Sequence, residues 1–127
     1  MRMSDLTYWE TGSEDDLDSA HKLFEGKKYH HALFFLHLAL EKILKAIYVK
    51  KKNEPPPPIH DLVRLTEKSS LSISEEMTLQ LAEISTYNIA ARYDDYKKRF
   101  YKKATHEYAQ KWMKVGGILL DVLKKNL

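Results

Sequence analysis

His37, Glu41 and Lys45 stand one helical turn apart in a predominantly apolar run from His30 to Lys50. The i, i+4, i+8 spacing puts an imidazole, a carboxylate and an amine on one face of a helix. Such a seam resembles a carboxylate–histidine site. A metal there would need further ligands from other helices at matching depth. The chain offers only scattered histidines, His21, His30, His31, His60 and His106, with no HxxxH or ExxH signature. Polar pairing inside a bundle is the better reading, because burying a polar group without a partner costs kilocalories. No metal and no cofactor is expected.

A second set of chemically capable residues lies between Asn88 and His106, in NIAARYDDYKKRFYKKATH. Arg92, Lys97, Lys98 and Arg99 can hold phosphate. Tyr93, Tyr96 and Tyr101 can stack a base, and Asp94 and Asp95 can hydrogen-bond a ribose or pin the arginines. The plainer alternative is a basic helix end that complements the helix dipole, with Arg92 and Asp95 stapling a loop. Both readings stay open. The chain has no Gly-rich phosphate loop, no GxSxG and no nucleophile–base pair readable from spacing.

These residues need a scaffold, and the composition bounds it. A chain of 127 residues with 43% hydrophobic and 31% charged residues is expected to form one domain spanning 1–127, with a real core and a soluble surface. No apolar run reaches the length of a membrane span. The start, MRMSDLTYWE, lacks the apolar core of a signal peptide. There is no cysteine, hence no disulfide or thiolate chemistry. A cytoplasmic protein away from membranes is the simplest expectation. A net charge of +3 is only mildly basic.

The pattern is all-α: four main helices in an up-and-down bundle plus a short extra helix. The first is expected from about Ser13 to Glu25, with Ser13 as its cap, acidic residues in its first turn and Gly26 ending it. An earlier turn near Asp5–Glu10 is compatible with this. The second runs from Tyr29 to Lys51, antiparallel to the first because the joint is short. Its apolar residues cover most of the circumference, which places it in the middle of the bundle. Pro55 to Pro58 stop it, and Ile59-His60-Asp61-Leu62 opens a helix of about ten residues. The next begins near Ser72 or Ser74, where Ser72 with Glu75 fits a capping box. It holds Met77, Leu81, Ile84, Tyr87 and Ala91 on one stripe. In the last helix Tyr108, Trp112, Val115, Leu119 and Val122 repeat at 4-3-4-3 spacing. Gly116-Gly117 inside it implies close approach of another helix. Met113, Ile118, Leu120 and Leu123 fall outside that stripe, and with the all-round apolar second helix they predict a homodimer.

Four blocks together carry a resemblance. They are DLDSAHKLFEGKKYHHALFFLHLALEKILKA (16–46), PPIHDLVRL from Pro57 to Leu65, YNIAARYDDYK (87–97) and the amphipathic final helix. In this order they resemble the HEPN domain family, over nearly the whole chain. One departure is Asp94, where the family pattern usually has proline, which is expected to loosen a loop there. The resemblance implies a helical bundle, often dimeric; the nucleotide- or RNA-binding set expected from the segment's own residues is Arg92, Tyr93, Asp95, Tyr96, Lys97 and Lys98. The resemblance also implies a companion, a minimal nucleotidyltransferase, in a two-gene toxin–antitoxin-like module. Some members are metal-independent ribonucleases with four to six residues between an Arg and a following His. Arg99 and His106 satisfy the loosest form of that pattern, and His106-Glu107-Tyr108 resembles the continuation in which the tyrosine can be adenylylated. On that alternative His106 is the general acid or base and Arg99 stabilises the phosphate. Both would face one way if the segment were continuous helix. The other alternative is a dimeric interaction module without a ligand.

Overall fold

The computed structural model describes residues 5–127; Met1 to Ser4, on which the reading of the chain start partly rests, lie outside the described residues. Six helices are present among them: α1 (Leu6–Glu25), α2 (Tyr29–Lys52), α3 (Leu62–Lys68), α4 (Glu75–Arg92), α5 (Asp94–Lys103) and α6 (His106–Lys124). No strand occurs among the described residues. The four long helices alternate in direction. The Lys45 ammonium lies over the ring of Trp9 of α1, which also packs with Ala46; Ser13 bonds Ala39, and Phe24 meets Tyr29, so α1 runs antiparallel to α2. His106 meets Tyr29, Gly116 meets Leu36, and Leu127 packs with Ala46 and Val49, so α6 runs parallel to α2. The expected all-α up-and-down bundle forms, with two short helices rather than one.

Helix α2 is the axis of the molecule. The other five helices all pack on it, which is why it is apolar nearly all round; Leu33, Leu36, Leu40, Leu44 and Ile47 are fully buried. Burying such side chains supplies the main driving force for the fold, about 1.5–3 kcal/mol each.

The start of α1 lies upstream of the expected one. The Asp5 carboxylate caps it by accepting the Thr7 N–H at 2.9 Å. Ser13 is no cap; it is buried mid-helix, and its hydroxyl donates to the Ala39 carbonyl at 2.7 Å. A serine followed by acidic residues reads as a helix start, but the same hydroxyl serves equally well as a bond between helices. Asp16 is likewise drawn inward, paired with Lys42 at 2.7 Å. Gly26 follows the helix at φ −79°, and the left-handed residue of the joint is Lys27, φ 61°.

Asp61 caps α3 by accepting the Val63 and Arg64 N–H groups, and the helix is shorter than expected at 7 residues. Ser74, not Ser72, caps α4, accepting from the Met77 N–H at 3.1 Å. The buried line of α4 is Leu81, Ile84, Tyr87 and Ala90, with Met77 and Ala91 at its margins.

The stretch after α4 is a helix, where the sequence suggested a loop. Its single buried anchor, Phe100, stacks on Tyr87 with ring centroids 5.1 Å apart. Asp94 is the first helical residue of α5. That is a position where proline is also at home, so its presence shifts chemistry without loosening a loop.

In α6 the inward line is Ala109, Met113, Gly116, Leu120 and Leu123, one residue away from the expected stripe. Tyr108, Trp112 and Val115 are half-buried, Leu119 is buried, and Val122 is exposed. A Cβ on Gly116 would come within 2.5 Å of Leu36, whereas one on Gly117 meets nothing within 4 Å. The close approach is therefore to α2, inside the bundle. Met113, Leu120 and Leu123 are core residues, and only Ile118 of the four assigned to a subunit contact is exposed.

Candidate functional site

The polar seam of α2 is the root of a longer network. Lys45 donates to Glu41 Oε2 at 3.0 Å. The other carboxylate oxygen faces His60, with Nδ1–Oε1 at 3.0 Å. His60 Nε2 accepts from the Arg92 guanidinium at 3.3 Å. His37 Nε2 donates to the His60 carbonyl at 3.0 Å. The donors thus run from Arg92 through His60 to Glu41, with Lys45 closing the other side. Asp61 positions His60 by capping α3 directly after it. Burial holds the His37 imidazole below its usual pKa, against the opposing pull of the His60 carbonyl and the Glu41 charge. Its Nδ1 is buried with no hydrogen-bond partner among the described residues, so a second proton there would have nothing to bond.

Arg92 stands where this network meets a cleft of about 760 Å³ between the N-terminal half of α2, the end of α4 and α5. Phe34, Phe35, Phe100 and Tyr101 give it aromatic walls. Arg92, Lys97, Lys98 and Lys102 supply cations, and His30 and His31 close the α2 side. The His30 ring lies edge-on to Tyr101 at 5.2 Å. Burial, then its neighbours His31 and Lys28, lowers the His30 pKa. Flat apolar walls under a cationic rim suit a ligand with a planar body and an anionic end.

Of the six residues expected to bind ligand, Arg92, Lys97 and Lys98 line the cleft. Tyr93, Asp95 and Tyr96 are exposed and do not. The helical turn of α5 points them elsewhere; Tyr93 and Tyr96 meet edge to face, and Arg99 lies over Tyr96 at 5.3 Å. The α2 contribution, His30, His31, Phe34 and Phe35, escaped the sequence reading because it looked like uniform core.

Arg99 and His106 sit on different helices, because the chain breaks at Ala104–Thr105 between α5 and α6. The continuous helix that would have put them on one face does not form. His106 instead opens α6, bonds the Tyr29 hydroxyl at 3.0 Å and packs against the Phe24 ring. Tyr108 donates to the Glu83 carboxylate and accepts from Tyr87 at 2.7 Å. Lys103 pairs with Glu83 at 2.8 Å and lies over the Tyr108 ring. Burial, then the bond to Tyr108, pushes Tyr87 well above its usual pKa; burial, then the bond to Glu83, does the same for Tyr108, against the opposing pull of the bond it accepts from Tyr87. Burial opposes the ionisation of Glu83, but the bonds from Lys103 and Tyr108 outweigh it and hold its pKa down.

A family model described as the HEPN domain matches residues 6–127. The chain belongs to the HEPN domain family. The match spans all six helices, including the Glu41–His60–Arg92 network and the cleft. HEPN domains are nucleotide- and RNA-related and often dimerise. No curated protein and no solved structure matches this HEPN chain. No helix among its described residues is long and apolar enough to cross a membrane.

Proposed function

We propose that this HEPN protein binds a nucleotide or a short RNA segment in the α2–α4–α5 cleft. It does so as the homodimeric, cytoplasmic partner of a minimal nucleotidyltransferase, in a two-gene toxin–antitoxin-like module. The observation that carries the binding reading is the meeting of aromatic walls with Arg92, Lys97, Lys98 and Lys102 in one cleft. Tyr101 and Phe34 offer faces for a base, and the cations offer partners for phosphate. His60 and Glu41 orient Arg92 from behind, which fixes its guanidinium before a ligand arrives. Arg92→Ala is expected to weaken nucleotide or RNA binding at low salt while the helical signal is retained. Unfolding of Arg92→Ala would favour a purely structural arginine, and absence of binding by the wild type would remove the reading.

Binding without cleavage is the form we favour. The break between α5 and α6 separates Arg99 from His106, and the packing of His106 on Phe24 and Tyr29 supports a structural role. Metal-independent RNA cleavage lost in both Arg99→Ala and His106→Ala, with unchanged thermal stability, would promote the ribonuclease reading instead. The module is tested by co-expression with the neighbouring gene product, scored by growth arrest and RNA integrity.

A further inference from the structure

We propose that the solvent face of α4 is the surface on which two copies of this chain pair, antiparallel about a twofold axis beside Ile84. Between Glu76 and Arg92, the exposed residues of α4 are Leu79, Ala82, Thr86 and Ile89. None is charged, in a chain that is 31% charged. Leu79 is 66% and Ile89 48% exposed. The remaining residues of this stretch are at least partly covered by the bundle.

The order along the face is self-complementary. It reads acid, large, small, small, large, base from Glu76 to Arg92, with spacings 3-3-4-3-3 that are the same in either direction. Antiparallel pairing sets Leu79 against Ile89 of the other copy, Ala82 against Thr86, and Glu76 against Arg92. Each pairing occurs twice, as an isologous interface requires. Small residues at the centre let two helices approach closely, and the acid-to-base order opposes unlike charges at both ends. A groove of about 560 Å³ between α3 and α4, with Val63, Ala82 and Thr86 in its wall, lies beside the stripe and can receive an aliphatic side chain from the other copy.

The face lies on α4; Arg92 at its end also lines the cleft, whereas Leu79 and Ile89, the positions varied below, do not. Sedimentation of the full chain at tens of micromolar, an order-of-magnitude choice, is expected to give twice the 14.9 kDa chain mass. Leu79→Lys and Ile89→Lys should each sediment as monomers with an unchanged helical signal, since both positions are exposed. The chain contains no cysteine, so register is readable by oxidation. A mixture of Leu79→Cys and Ile89→Cys proteins should cross-link, and each alone should not, because like positions lie about 15 Å apart along the axis. A wild-type monomer, a dimer that survives both lysine variants, or cross-linking of either cysteine variant alone would each overturn the proposal. So would a chain that stays monomeric until a nucleotidyltransferase binds this same face.

Discussion

Glu41 is the residue on which the interior chemistry turns. Its carboxylate accepts from both Lys45 and His60, and Lys45 is only 6% exposed. Glu41→Ala should cost about 3–5 kcal/mol, the usual consequence of leaving a buried charge unpaired; urea unfolding checks this. His37 makes stability depend on pH. Its native pKa lies below 6.5, so under acid the unfolded chain binds a proton that the folded chain refuses. Stability from this source is complete above pH 6.5 and falls as the pH drops toward the native value. Thermal melts between pH 7.5 and 5 should show the decline, and His37→Gln should flatten it, since its amide can still donate to the His60 carbonyl. The seam itself was legible, because i, i+4 spacing reports a shared helical face directly. Its partners on other elements were not: His60 reaches Glu41, and Arg92 reaches His60, through chain folding, across sequence gaps that no periodicity connects.

At the scale of elements, the existence of the long helices could be read and their rotation could not. In α6, Tyr108-Trp112-Val115-Leu119-Val122 and Ala109-Met113-Gly116-Leu120-Leu123 satisfy the same 4-3-4-3 spacing, one residue apart. Gly116 decides between them by letting the helix lie against Leu36. Gly116→Ala should therefore destabilise by about 1–3 kcal/mol through overpacking. Gly117→Ala, facing open space, should stabilise by about 0.5–1 kcal/mol. Opposite signs from adjacent glycines are the result to look for in denaturant titrations. Helix α5 hid for a different reason: nine of its ten residues are exposed, leaving no apolar stripe to recognise. Tyr93 before it is extended, at φ −116° and ψ 126°, which suits a residue preceding proline. Asp94→Pro should thus leave the helix intact and raise stability by a few tenths to about 1 kcal/mol, readable as a higher melting temperature without loss of helical signal.

Across the whole molecule, charge and apolar surface are sorted onto separate faces. Exposed acids cluster on α1, cations gather on α5 beside the aromatic cleft, and an uncharged strip runs along α4. A dimer was expected from surplus apolar residues on α2 and α6, but the bundle absorbs nearly all of them; exposed Leu79 and Ile89 lie on α4 instead. The central claim is that the cleft binds a nucleotide or RNA. Its most direct test is titration of the wild type, Lys98→Ala and Tyr101→Ala with labelled mononucleotides and short single-stranded RNA, at low and at physiological salt. The account predicts binding by the wild type that weakens with salt. It predicts a loss of about five- to a hundredfold in Tyr101→Ala, the size of a lost stacking contact, and a smaller, salt-sensitive loss in Lys98→Ala. Absence of wild-type binding at low salt, or binding that neither variant changes, would contradict it.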